Sequence, residues 1–115
     1  MDLRVVPIES VAQQKNPNGF DIRWLLREQF GKLSLAVAHT IIPPGGSSGA
    51  HVRENAAEVL FYLGGRASVE VEGGQTHTVE PNTLIVIPPG TTHTHRNLGQ
   101  EPIVQFFVQA EVSGA

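Results

Sequence analysis

The chain of 115 residues has no cysteine. Neither a disulfide framework nor a thiolate metal site is therefore open to it, and any bound metal must be held by histidine, carboxylate and water. Basic residues are few, with eight Lys and Arg against eleven Asp and Glu, a formal net charge of -3 and a pI near 5.9. Nucleic-acid surfaces need clustered Lys and Arg, and no such cluster occurs, so no nucleic-acid partner is expected. Nowhere is there the run of about 18 apolar residues that a spanning helix requires. The first ten residues, MDLRVVPIES, carry neither the basic region nor the apolar stretch of a signal peptide. A cytoplasmic protein without a membrane partner is the expectation.

Twelve Gly and eight Pro punctuate a chain that is 40% apolar and only 6% aromatic. Frequent turn residues between short apolar segments suit strands rather than helices. The length points to one domain spanning residues 1–115, large enough to bury roughly two-thirds of its unfolded surface. Residues 1–20 are mixed in pattern and contain the polar loop QQKNPNG, so they read as an arm or an edge strand. Ile22, Trp24 and Leu26 alternate as in a strand, although Leu25 blurs the pattern and a short helix stays open. From Leu33 to Ile42 the alternation is clean. Leu33, Leu35, Val37, His39 and Ile41 take one side and Ser34, Ala36, Ala38 and Thr40 the other, which predicts that the first, more apolar side faces the interior. The segments VLFYL and IVQFFV are apolar on both faces and predict burial on both, which for so small a protein implies a homodimer. In all, about eight to ten short strands are expected, the pattern of a sandwich or barrel.

Two stretches concentrate the chemistry. Residues 45–65 read GGSSGAHVRENAAEVLFYLGG, with His51 and Glu58 between glycine turns and Glu58 on one strand face with Leu60 and Tyr62. Residues 82–97 include the strand LIVI and then PPGTTHTHRN, which sets His93 and His95 at alternate positions pointing the same way. The stretches resemble the paired motifs of the cupin superfamily, G-x5-H-x-H-x3-or-4-E-x6-G and G-x5-P-x-G-x2-H-x3-N. Gly45, His51, Glu58 and Gly65 match the first, and Pro88, Gly90, His93 and Asn97 match the second. Two positions depart: Arg53 stands at the second histidine, and Asn82 at the leading glycine of motif two.

The resemblance implies an all-β, double-stranded β-helix, a jelly-roll-like barrel. It also implies one divalent metal ion, Fe, Mn, Ni or Zn, on His51, Glu58 and His93, with His95 as the candidate fourth ligand. Two imidazoles and a carboxylate form a facial triad that leaves positions open for catalysis. His95 can equally be a proton shuttle or a histidine that lines the pocket. Arg53 cannot ligate a metal; it turns outward, pairs with Glu58 and empties the site, or holds a substrate carboxylate by two hydrogen bonds. Tyr62, on the face of Glu58, is a candidate for ligand contact. His39 reads first as an interior histidine and second as a ligand contact, while His77 reads as exposed and Asn97 as a turn residue. The leading expectation is a metal-dependent enzyme, a dioxygenase or a lyase, isomerase or cyclase, acting on a small oxygen-rich molecule. A ligand-binding or sensing module without turnover, free of metal because of Arg53, is the alternative.

Overall fold

A computed structural model describes residues 2–112. Among them are one 3-10 turn, Ile8–Ser10, and nine strands: β1 (Gln14–Lys15), β2 (Asp21–Phe30), β3 (Leu33–Ile42), β4 (Ala57–Gly64), β5 (Ala67–Val71), β6 (Thr76–Val79), β7 (Thr83–Ile87), β8 (His93–Asn97) and β9 (Ile103–Val112). The strands form a six-stranded sheet, in the order β1-β2-β3-β9-β4-β7, and a three-stranded sheet, β6-β5-β8, with every pairing antiparallel. This is a double-stranded β-helix. The core lies between the sheets, where Ile42, Leu60, Tyr62 and Ile103 of the large sheet meet Ala67, Val69 and Val79 of the small one.

The blurred alternation of β2 has a local cause. Trp24 pairs with Ala38 and Leu26 with Val37, so Leu25 is the extra residue of a β-bulge and the segment stays a strand. Trp24 thereby keeps its inward direction.

In β3 the structure reverses the expected facing. Ala38, at 0% exposure, and Thr40, at 2%, sit inside, while Leu35, Val37 and Ile41 are only partly covered on the outer side. The reason lies across the sheet, where Ala38 stands between Trp24 of β2 and Phe107 of β9. Those two rings meet edge to face at 5.4 Å, which a larger residue between them would prevent. His39 accordingly lies on the outer side, edge-on to Phe106 at 5.2 Å between ring centroids.

On β4, Glu58, Leu60 and Tyr62 point inward and are buried, as their spacing predicts. Phe61 and Leu63 point outward, as do Leu84 and Val86 of β7; all four are exposed. Phe61 pairs with both Leu84 and Phe106, and Val59 with both Val86 and Val108, so the outer apolar face runs across β3, β9, β4 and β7.

Turn chemistry accounts for one departure from the motif. Asn82 has φ of 62°, and asparagine is the residue that best replaces glycine in that left-handed region. Asn97 does more than turn the chain: its amide donates to the carbonyls of Ile42 at 3.0 Å and Glu101 at 2.8 Å, and its oxygen accepts from Gly99 N.

Two motif glycines are under different constraints. Gly65 has φ of 80°, and a Cβ there would lie 2.5 Å from the Pro102 carbonyl oxygen; Gly45 has φ of 76° with nothing within 4 Å. Gly45→Ala should cost only the left-handed backbone penalty of about 1–2 kcal/mol. Gly65→Ala adds a backbone collision and should cost at least twice as much. Urea denaturation of the two variants beside the parent measures the difference, and equal losses would refute the close-approach argument.

Candidate metal centre and its cavity

Three elements bring the candidate ligands together. Glu58 comes from β4, His93 opens β8, and His51 lies in the loop ahead of β4. That loop is held to β8 by reciprocal backbone hydrogen bonds, His51 N to His93 O and His93 N to His51 O, both 3.0 Å. One ligand atom from each of His51, Glu58 and His93 lies within 4.8 Å of the other two. His51 Nε2 is 3.6 Å from Glu58 Oε2, and Gln109 Nε2 donates to the other oxygen, Glu58 Oε1, at 3.3 Å.

The tautomer of His93 is set by its neighbour. Its Nδ1–H donates to the carbonyl of Thr91 at 3.0 Å, which leaves the Nε2 lone pair free. That Nε2 is fully buried and has no hydrogen-bond partner in the protein. Buried polar atoms are rarely left so. A lone pair aimed at a carboxylate and a second imidazole fits a divalent cation, and a backbone carbonyl behind a ligating histidine is the usual outer support.

Protonation favours the same use. Burial would raise the Glu58 carboxyl, but the hydrogen bond from His51 and the charges of His51, His93 and Arg53 outweigh it and hold the group below its ordinary value. Burial pushes His93 down, and the Thr91 carbonyl only partly restores it. A carboxylate at Glu58 and a neutral imidazole at His93 are the forms that bind metal.

His95 is placed beside this set rather than within it. Its Nδ1 is hydrogen-bonded to the Tyr62 hydroxyl, and its backbone N donates to Ser48 Oγ at 2.9 Å. Its Nε2 is buried without a partner, like that of His93. Burial, followed by the charges of His93 and His51, pushes its pKa down to about 3. Tyr62 is completely buried behind it.

The cavity holds about 210 Å³ and is lined by His51, Glu58, His95, Gln105 and Gln109 on its polar side and by Phe20, Ile22, Trp24, Ile42, Leu60 and Phe107 on its apolar side. Arg53 is not among its lining residues. The guanidinium turns outward, about half exposed and 3.9 Å from Glu111, into a groove of about 550 Å³ that shares Trp24 and Gln109 with the cavity. Neither a pair with Glu58 nor a carboxylate clamp inside the cavity is formed. His39 faces away from the cavity, which Thr40 lines instead, and His77 is exposed.

Gln105 and Gln109 are functional candidates that the sequence reading passes over. Their signal was available: Gln105, Phe107 and Gln109 share one face of an otherwise apolar strand, and a polar residue there needs a partner. Ser48, in the glycine-rich loop, offered no signal apart from its neighbours.

The neutral burial of His95 has a consequence for the metal-free protein. Its pKa falls from 6.5 in the unfolded chain to about 3 in the fold, so between these values the unfolded state binds more protons and stability is lost as pH falls. Above 6.5 the contribution is complete. This histidine alone should remove about 2 kcal/mol between about pH 7.5 and 5. His95→Gln, which can still accept from Tyr62, should flatten that slope, whereas His77→Gln should not. Urea titrations at several pH values check this, and an unchanged slope in His95→Gln would count against it.

The fold has many solved counterparts. A predicted oxalate decarboxylase from Thermotoga maritima superposes with a TM-score of 0.83 at 20% identity, covering 95% of this chain and 99% of its own. KdgF from Halomonas sp. gives a TM-score of 0.75 at 17% identity, covering 92% of this chain and 94% of its own. An uncharacterized conserved protein with a double-stranded beta-helix domain from Klebsiella pneumoniae gives 0.75 at 18%, covering 99% and 95%. No functionally curated protein matches the sequence. At these identities the likeness establishes the fold alone. The cupin domain family matches residues 38–109, a span that holds both histidine motifs and most of the large sheet, and the chain belongs to that family.

Proposed function

We propose that the protein is a metal-dependent cupin enzyme in which His51, Glu58 and His93 hold one divalent ion and a small oxygen-rich organic molecule occupies the cavity beside it. The observation that carries this is the buried, unpartnered Nε2 of His93, facing a carboxylate and a second imidazole. The nitrogen and oxygen donors suit Fe, Mn, Ni or Zn. Such an ion, when bound, supplies Lewis-acid or oxygen-binding chemistry. The chain's own part is to orient and to exclude water. Thr91 fixes the His93 ring, Gln109 holds one oxygen of Glu58, and the apolar wall from Phe20 to Phe107 lowers the local dielectric. The description of the Thermotoga neighbour as a predicted oxalate decarboxylase agrees with a small, oxygen-rich acid in a cavity of about 210 Å³.

One observation favours a second reading, a binding cupin without turnover. His95, the cavity histidine outside the triad, is held neutral near pH 7 and so makes a poor general acid. Metal content separates the readings at the first step. His93→Ala should lose most of the bound metal after native purification, and His77→Ala should retain it. Elemental analysis showing equal content in both variants and the parent would place binding elsewhere.

We propose also that two copies pair through the outer face of the large sheet. Strands lie about 4.8 Å apart and rise about 3.3 Å per residue, so the outer face of β3, β9, β4 and β7, of ten, ten, eight and five residues, covers roughly 500 Å². Two such faces bury about 1,000 Å² together, the lower bound for a specific interface. A second copy fits because the face is apolar, broad and without a charged row to direct a different partner, and sheets stack readily face to face. Val86→Glu and Phe61→Glu should each shift the mass from a dimer toward 12.4 kDa in light scattering. A parent protein already at that mass at micromolar concentration would refute the pairing.

A further inference from the structure

Two buried nitrogens of the cavity remain unused by the metal triad. His95 Nε2 and Gln105 Nε2 both lack a hydrogen-bond partner, and their residues are 1% and 4% exposed. An orphaned buried polar atom is costly, and a fold tolerates it where a ligand is to satisfy it. They sit in one neighbourhood, since both residues line the cavity and Tyr62 touches each: it bonds His95 Nδ1 and is the cross-strand partner of Gln105. The Gln105 amide lies beside the phenol without a well-formed bond to it.

The phenol decides which proton His95 carries. The buried Tyr62 hydroxyl is hydrogen-bonded to Nδ1 of His95, with the phenol taken as the donor and Nδ1 as the acceptor. An imidazole that accepts at Nδ1 carries its own proton on Nε2. The free nitrogen of His95 is then a donor, as is the amide nitrogen of Gln105, and neither can ligate a cation. His95 also falls outside the close set of His51, Glu58 and His93.

We infer that His95 Nε2–H and Gln105 Nε2–H form a two-donor seat for an sp2 oxygen of the ligand, with Tyr62 as the positioning residue behind it. Two uncharged donors accept a ketone or a carboxylate oxygen. The cavity of about 210 Å³ has the volume of about seven waters, so the ligand is compact. Together with the proposed metal triad, on which this one step rests, the arrangement selects a small oxo acid with one oxygen toward the triad and another on the seat. The seat itself does not depend on the metal.

The test uses pyruvate as the probe and zinc as the metal. Nitrogen-15 NMR of the metal-free protein should show His95 as the Nε2–H tautomer, and zinc loading should leave it so. Tyr62→Phe should shift it toward Nδ1–H, which a merely space-filling tyrosine would not do. Pyruvate, titrated into the metal-free parent, should perturb the His95 ring signals. Gln105→Met, of similar volume but without the donor, should weaken pyruvate about tenfold, the loss of one hydrogen bond to a charged acceptor. Zinc affinity by chelator competition should stay within about twofold in that variant. Should Gln105→Met fail to fold, the tautomer measurement on the parent still decides. An Nδ1–H tautomer, zinc bound to His95 Nε2, no response to pyruvate at any tolerated concentration, or equal pyruvate affinity in a folded Gln105→Met would each overturn the seat. A parent that binds pyruvate but not zinc would leave the seat standing and overturn the metal reading instead.

Discussion

The site depends on the pair of backbone hydrogen bonds that His51 and His93 exchange. Residues 43–51 are rich in proline and glycine and have little structure of their own, while β8 belongs to the small sheet and Glu58 to the large one. The exchange turns a flexible loop into a short extension of the small sheet, reinforced by the Ser47–Arg96 bridge and by Ser48 N donating to His95 O at 2.9 Å. Its result is that two imidazoles from distant parts of the sequence are fixed by main chain, with ring centroids 4.2 Å apart. Only the carboxylate must then be supplied from across the barrel. The backbone positions of both histidines are set before any ligand arrives, which is the main-chain part of preorganisation.

Charge is balanced within a small space. A carboxylate at 3% exposure would be costly alone, yet Glu58 has His51, His93 and Gln109 around it. Arg53 contributes from outside: its charge helps hold Glu58 ionised although its side chain faces the groove. A cation at that distance shifts a titration without occupying a coordination position, so the substitution of the family's second histidine is compatible with a three-residue donor set.

Much of the architecture was legible from residue order, because strand alternation and glycine or proline breaks act locally. The motif spacings carried His51, Glu58 and His93 correctly to one place. What was not legible depended on neighbours across the sheet. Which side of β3 faces inward follows from the meeting of Trp24 and Phe107 over Ala38, and no period in β3 alone records it. Arg53 lies between the isolated bridge at His51 and the bend at residues 54 and 55, so no strand ladder sets its direction. Gln105 and Gln109 could be picked out as polar residues on one face of an apolar strand, but their partners could not, since those come from β4, more than forty residues earlier.

Trp24 occupies the wall between two spaces, with the cavity on one side and the outer groove on the other, and the guanidinium carbon of Arg27 lies 3.7 Å from its ring centroid. It is the sole tryptophan of the chain. The molecule therefore carries an intrinsic optical reporter at the threshold of its cavity: displacement of water from the inner face, a paramagnetic ion nearby or a disturbed Arg27 stack would each alter the emission of one chromophore, with no second indole to dilute the signal.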